Sequence, residues 1–424
     1  MSKPTVHIVH CVDTEGPLEE TLDATFERIN NEFSLSLTPS LALLKQLQNQ
    51  ELDFSGMEND IAAFIAPNRL AYLSTWAKVE EMILNSTDYS YRQKYASPDG
   101  SLYTYSWFII DVVGYKNNPR RKAIGHHVIW DQYQRILKGR QYNDVFGWHF
   151  HTVPKTHEAL DYNTCWTNND FHEEVLARKI IERNFFPALF RSGGVIERND
   201  LSSWLERFIP IDYSNQNNNY SNFKPGSQSD WRGAPKSWVP YSPCFYDYRK
   251  EGSMRRKIFR CLDVKTPGCE LDTPEIERAF EEAVQKGASV LSYTNHDRRD
   301  IKPDGEHMFH LISEVAKRFP DVEWKYSNAL EAARCSLGTS PKDLQLNITQ
   351  DEGLIKITSN YSLLSGDLFL AIKEKGDIYY RDNVTIESDT SWAYTSPRMD
   401  AIEKIGVGGC TSDGSSACAV INLT

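Results

Sequence analysis

Residues 5–16 read TVHIVHCVDTEG and contain the pattern from which the fold can be inferred. The apolar run 6–12 predicts a buried strand, which leads into two carboxylates, Asp13 and Glu15. Positions i and i+2 of a strand lie on one face about 6.7 Å apart, so both carboxylates could face one cavity as a base and a metal ligand. The alternative is a pair of loop carboxylates that cap a following helix.

A second motif, Trp148-His149-Phe150-His151, lies in another predicted strand. His149 and His151 share one face of that strand, so both imidazoles could reach a single cation. Two histidines and a carboxylate leave coordination positions open for water and substrate, as a catalytic metal site requires. Alternatively, one histidine is buried and hydrogen-bonded while the other is solvated. We assign Trp148 to substrate binding because sugar sites often use flat aromatic faces, although aromatic residues more often fill cores.

Three further polar residues lie at the ends of predicted strands. His296 follows the strand predicted over 289–294, a position that suits a general acid. Arg191 precedes two glycines and could hold a carboxylate of the site; the alternative is a structural ion pair. Asp212 is assigned to substrate binding, with a turn residue as the alternative.

The pattern of elements changes once along the chain. Up to about residue 335, short apolar runs typical of strands alternate with segments of helical periodicity. This alternation predicts an α/β barrel or a doubly wound sheet. Later runs are short and alternating, which is typical of a small β-sandwich. They are 344–348, 354–357, 368–373, 384–388 and 419–423. We therefore predict an α/β domain over residues 1–338 and a β-rich domain over 339–424. The Asn- and Ser-rich stretch 215–229 predicts a long surface loop that could cover the site.

The composition argues against several classes of protein. The chain has 424 residues and a net charge of -11, so nucleic acid is not an expected partner. No run approaches the roughly 20 apolar residues that cross a bilayer. We see no signal peptide, so we expect a cytoplasmic protein with reduced cysteines. A Cys410–Cys418 disulfide is the less favoured alternative.

The order of these motifs resembles that of the polysaccharide deacetylase superfamily over roughly residues 5–335. The resemblance implies a distorted (β/α) barrel with about seven strands and one divalent metal ion, commonly zinc. The motifs that carry it are Asp13-Thr14-Glu15-Gly16, His149-Phe150-His151, Arg191-Ser192-Gly193-Gly194, Asp212-Tyr213-Ser214 and Leu291-Ser292-Tyr293-Thr294-Asn295-His296.

The resemblance also assigns roles, although the spacings differ from the common family pattern. That pattern has two adjacent aspartates in the first motif, and its metal histidines are four residues apart. Here the carboxylates and the histidines are each two positions apart, so the base and ligand roles of the two carboxylates could be exchanged. By resemblance, Asp13 is the base, Glu15, His149 and His151 are the metal ligands, Arg191 positions the base, and His296 is the general acid.

The expected function is metal-dependent removal of an acetyl or formyl group from an amino sugar. The expected substrate is a nucleotide- or lipid-linked intermediate of surface-polysaccharide assembly, and the C-terminal domain could mediate oligomerisation. One alternative is a glycoside hydrolase that uses Asp13 and Glu15 as its acid and base. The other is a non-catalytic carbohydrate-binding protein.

Overall fold

The fold is described from a computed structural model. It describes residues 3–116, 125–158, 165–193, 197–218, 230–264 and 271–423. Most of the predicted loop 215–229, and Gly194 of the predicted Arg191 motif, lie outside these residues.

Nine strands form one parallel sheet around a central axis. They run in the order β6-β5-β4-β3-β2-β1-β8-β7, and β9 pairs with the start of β1. Their bounds are β1 Thr5–Thr14, β2 Tyr105–Ile109, β3 Val145–Phe150, β4 Leu189–Ser192, β5 Ile211–Asn215, β6 Lys257–Arg260, β7 Leu262–Asp263, β8 Ala288–His296 and β9 Glu323–Tyr326.

A bent segment closes this sheet into a barrel. Strands β6 and β7 are separated only by Cys261, and β6 pairs with β5 whereas β7 pairs with β8. The two ends of the strand order therefore meet. Every second side chain points into the barrel, where Val9, Cys11, Phe108 and Tyr213 belong to one buried cluster. The prediction of a distorted (β/α) barrel is confirmed.

Helices surround the barrel and connect its strands. Those between β1 and β2 are α1 Leu22–Phe33, α2 Leu41–Gln48, α3 Glu58–Phe64, α4 Trp76–Ser86 and α5 Tyr89–Lys94; the later ones are α6 Val128–Ile136, α7 Phe171–Arg183, α8 Asn199–Phe208, α9 Thr273–Lys286, α10 Lys302–Ala316 and α11 Ala329–Leu337. A turn with positive φ at Ser55 and Gly56 precedes α3. No helix in the described part of the chain is long and apolar enough to cross a membrane.

Local sequence signals explain where helices begin and end, as α9 illustrates. The Asp272 side chain accepts a hydrogen bond from the Glu275 amide, and Pro274 stands in the first turn, where its missing N–H costs no bond. The helix ends at Gly287, whose φ of +87° suits a residue without a β-carbon. Strand β8 begins directly after it, so the helix end positions the strand that leads to His296.

The C-terminal part is a sandwich of two antiparallel sheets, as the sequence predicted. Their orders are β10-β11-β15-β14 and β13-β12-β16-β17. Alternate side chains, among them Ile357, Leu370 and Trp392, form their shared core. Helix α7 of the barrel packs against the second sheet, where its Ile180 lies beside Gly406. The bounds are β10 Leu346–Asp351, β11 Leu354–Ser359, β12 Phe369–Glu374, β13 Ile378–Asp382, β14 Thr385–Ser388, β15 Ser391–Tyr394, β16 Ile402–Cys410 and β17 Ser416–Asn422.

Candidate metal centre

Four of the predicted site residues meet at the carboxyl ends of barrel strands. Asp13 pairs in register with His296 across β1 and β8, and His149 pairs with Arg191 across β3 and β4. The carboxyl ends of parallel strands open onto the face where barrel enzymes place their chemistry. Sequence-distant residues therefore converge because each ends a strand of the same barrel.

Glu15, His149 and His151 form a group that could hold a metal ion, because their donor atoms all lie within 4.8 Å of one another. The Nε2 atoms of the histidines are 3.1 Å apart, and His151 Nε2 lies 3.6 Å from Glu15 Oε1. Two ligands about 2.1 Å from a tetrahedral zinc ion are themselves roughly 3.4 Å apart. The observed spacings therefore fit one small cation.

The tautomer of His149 supports the same interpretation. Its Nδ1 lies 3.1 Å from the Arg191 carbonyl oxygen, which can only accept a hydrogen bond, so Nδ1 carries the proton. The lone pair of Nε2 is then directed toward His151. Burial lowers the pKa of His149 to about 3, so the ring stays neutral, which is the form that binds metals.

Gly193 explains how His151 can lie beside His149. A β-carbon at position 193 would overlap the His151 imidazole and would lie 2.6 Å from the Phe150 carbonyl oxygen. Only glycine leaves room for the imidazole at this place. The first glycine of the predicted Arg191 motif thus shapes the candidate metal centre.

Asp13 lies beside this group, with Oδ1 3.7 Å from His149 Nδ1, in a buried ion pair with Arg191. Arg191 donates from Nε to Oδ1 at 2.8 Å and from Nη2 to Oδ2 at 3.0 Å, a two-pronged pairing. Burial alone would raise the pKa of Asp13, but the positive charge of Arg191 outweighs it and holds this pKa well below its usual range. Asp13 is therefore an ionised carboxylate whose position Arg191 fixes.

His296 lies close to both carboxylates. Its Nε2 is 4.0 Å from Asp13 Oδ2 and 3.9 Å from Glu15 Oε1, and a quarter of its side chain is exposed. It therefore lies near Asp13 while part of its ring stays accessible to a ligand. Burial, with Arg298 nearby, lowers the pKa of the ring well below its usual value.

Sequence reasoning missed two residues that position Glu15. The buried Asp297 carboxylate accepts hydrogen bonds from the Glu15 amide at 2.6 Å and from the Tyr133 hydroxyl at 2.8 Å, so it fixes the turn after β1. Arg298 donates from Nη1 to Glu15 Oε2 at 2.9 Å. The available signal was the run Asp297-Arg298-Arg299, which places three charges directly after a strand-end histidine.

Trp148 is not at the site. Its side chain is fully buried in an apolar cluster with Phe150, Trp166 and Phe190, on the outer side of β3. The two-residue period that directs His149 inward directs Trp148 outward. The prediction that Trp148 binds substrate is therefore wrong, and its alternative, core packing, is correct.

Asp212 is also directed away from the centre. It is 1% exposed and forms a buried ion pair with Arg256 Nη1 at 2.5 Å. Its carboxylate also accepts hydrogen bonds from the hydroxyl and amide of Ser214. The neighbouring Tyr213 points into the barrel instead. A substrate cannot reach Asp212 here, so the predicted binding role is corrected to a structural one.

Comparisons with known proteins give a similarity to a solved structure. No family model and no curated protein matches the chain. A solved structure from Parabacteroides distasonis, described as a "putative glycoside hydrolase/deacetylase", matches over 98% of this chain and 89% of its own, with 10% sequence identity and a TM-score of 0.39. A similarity of this size assigns neither an activity nor a residue role to this chain.

Proposed function

We propose that this protein is a metal-dependent hydrolase that removes an N-acyl group from an amino sugar. The observation that carries the proposal is the group Glu15, His149 and His151, in which two imidazoles and one carboxylate converge beside an ionised, arginine-held Asp13. Three protein ligands leave room for water and a carbonyl oxygen, which is the requirement of metal-assisted amide hydrolysis. The amino-sugar part rests on the order of motifs that resembles the polysaccharide deacetylases.

The ligands would bind one divalent cation, and zinc suits their chemistry. When bound, such an ion polarises the amide carbonyl and lowers the pKa of water toward about 7. Asp13, kept ionised by Arg191, would accept the proton of the attacking water. His296, whose Nε2 lies 4.0 Å from Asp13 Oδ2, could pass that proton from Asp13 to the departing amine, which otherwise is a very poor leaving group.

The environment of the two carboxylates argues against the glycosidase alternative. A glycosidase needs one carboxyl group that stays protonated to donate to the leaving oxygen, which requires a raised pKa. Here an arginine is paired with each carboxylate, Arg191 with Asp13 at 2.8 Å and Arg298 with Glu15 at 2.9 Å, so neither has the apolar, unpaired surroundings that keep a carboxyl group protonated. That mechanism also leaves His149, His151 and His296 without roles.

Several finer points of the proposal come from the sequence alone. They are the acetyl or formyl nature of the acyl group, a nucleotide- or lipid-linked substrate from surface-polysaccharide assembly, a cytoplasmic location, and oligomerisation through the C-terminal domain. The domain limits 1–338 and 339–424 likewise stay predictions.

The decisive experiment combines metal analysis with product detection. Protein stripped by a chelator and reloaded with Zn²⁺ should hold one ion per chain and release acetate or formate from N-acetyl or N-formyl amino sugars. The stripped protein should be inactive. Metal-independent cleavage of aryl glycosides would favour the glycosidase, and sugar binding without metal or turnover would favour the binding protein. Either result would overturn the proposal.

A further inference from the structure

Arg299 stands out beside the centre because no carboxylate of the described residues is in direct contact with its charge, and Asp263 attracts it only from beyond ion-pair distance. Arg298 and Arg299 are consecutive, and Arg298 is neutralised by Glu15 at 2.9 Å. In the described part of the chain no carboxylate lies within ion-pair distance of Arg299, and its buried Nε has no hydrogen-bond partner. Removing a guanidinium from water without a partner costs free energy, so this arrangement calls for an explanation.

The position of Arg299 connects it to the site. Its amide donates to the carbonyl oxygen of His296 at 3.3 Å, so the two residues belong to one tight turn at the end of β8. The segment before α4 lies against the same turn, because the Leu73 amide donates to the Arg298 carbonyl at 2.8 Å. Arg299 is thus held at the rim of the metal centre by backbone bonds.

The guanidinium is also held in place by a ring. Its central carbon lies 5.4 Å from the centroid of the Tyr72 ring. Tyr72 attracts the cation through its ring and its hydroxyl, but it supplies no full negative charge as an anion would. An arginine that is half-buried, packed against a ring and not in contact with a carboxylate can bind an oxyanion, since its N–H groups match phosphate and carboxylate geometry.

We propose that Arg299 binds an anionic group carried by the sugar substrate, either a phosphate ester or a carboxylate, at the rim of the metal centre. The inference rests on the proposed function for its reaction but not for its binding step. An anion held there would neutralise the second of two adjacent positive charges. It would also orient the sugar relative to the turn that carries His296.

The test compares anionic and neutral sugars that share one amide. N-acetylglucosamine 1-phosphate supplies a phosphate, N-acetylmuramic acid a carboxylate, and methyl N-acetylglucosaminide no charge. In Arg299→Gln we expect KM for the preferred anionic sugar to rise about 10- to 100-fold, the worth of a charged hydrogen bond, with little change in kcat. The neutral sugar should be unaffected. Arg299→Lys keeps the charge and should lose less.

Controls separate this inference from the proposed function. Arg135→Gln removes an arginine that is half-exposed and paired with Glu80, and it should behave as wild type. Metal content and circular dichroism should be equal in all variants. Calorimetric binding of the same sugars to the zinc-loaded protein needs no turnover. If the sugars bind in a way that depends on Arg299 but are not hydrolysed, the proposed function is contradicted and the inference about Arg299 is supported.

Two outcomes would overturn the inference. One is an equal loss for anionic and neutral sugars in Arg299→Gln, since that reveals a structural role. The other is failure of both anionic sugars to bind the wild-type protein more tightly than the neutral one. If Arg299→Gln does not fold, Arg299→Lys and the salt dependence of wild-type binding decide, because screening should weaken only the anionic sugars.

Discussion

Arg298 donates a hydrogen bond to Glu15 Oε2 at 2.9 Å, whereas Glu15 Oε1 is the oxygen that lies 3.6 Å from His151 Nε2. The two oxygens of one carboxylate are thereby divided between an arginine and the candidate metal position. Glu15 is therefore expected to bind a metal ion through Oε1 alone. Residues that hydrogen-bond to a metal ligand fix the orientation of that ligand and tune the affinity of the site for the metal.

Replacing Arg298 should therefore weaken metal binding. We expect Arg298→Met to lower the affinity for Zn²⁺ about 10- to 100-fold, the usual effect of losing such a partner. Competition with a chromophoric chelator measures it. Arg318→Met, on a half-exposed arginine paired with Glu277, is the matched control. Unchanged affinity in Arg298→Met would mean that Glu15 needs no support from this side.

The two histidines should be indispensable to the metal. We expect His149→Ala and His151→Ala to lose the ion, because each removes one of three protein ligands. Elemental analysis of purified protein measures the content. His310→Ala serves as control, since His310 is exposed on α10. Wild-type metal content in both site variants would rule the centre out.

The Asp13–Arg191 pair should contribute strongly to stability. Both residues are almost fully buried, so removing one leaves the other as an uncompensated charge. We expect Arg191→Met to lower the free energy of unfolding by about 3–5 kcal/mol, measured by urea denaturation of metal-free protein. Arg318→Met should change it by less than about 1 kcal/mol. A similar small change in Arg191→Met would contradict the pairing.

His296 should matter for turnover but not for metal binding. We expect His296→Ala to lower turnover of an amide by about 10²–10⁴-fold, the usual value of a positioned proton donor. An activated aryl ester should lose much less, because its leaving group needs no proton. Metal content must first be shown equal to wild type. Equal losses on both substrates would assign His296 to binding, and loss of metal would make it a ligand.

The protein should lose stability in acid through His10. Burial lowers the pKa of His10 to about 4, while its nitrogens lie 2.8 Å from Tyr103 Oη and 2.9 Å from Asn295 Oδ1. The unfolded chain therefore takes up the proton first, near pH 6.5. The stability is complete above that pH and declines as the pH falls toward 4, by up to about 3 kcal/mol.

Urea denaturation of chelator-treated protein between pH 7 and pH 4 measures this effect without interference from metal release. In His10→Gln the stability should depend less steeply on pH than in wild type, because one proton fewer is taken up on unfolding. His310→Gln, on an exposed histidine, should keep the wild-type dependence. Identical slopes in wild type and His10→Gln would show that His10 does not couple to folding.

The sequence by itself determined the class of fold and the placement of His149 and His151 on one face of a strand. Its alternation of apolar runs and helical periodicity predicted the barrel, and the change after residue 338 predicted the sandwich. The two-residue period of a strand also brought His149 and His151 to one face. These inferences hold because periodicity is a local property of the backbone. Applied to Trp148, the same period would have directed that residue outward from the start.

Only the tertiary structure decided which partners the site residues meet. The pairing of Arg298 with Glu15 and of Asp212 with Arg256 depends on how strands and loops that are far apart in the chain come together. Closure of the barrel depends likewise on β6 and β7 joining its two edges. Ion pairs carry no periodic signature, because a charge needs only a counter-charge nearby in space. Local sequence patterns therefore identify strand ends. Tertiary packing decides which charged side chains face the candidate metal centre and which form ion pairs elsewhere in the barrel.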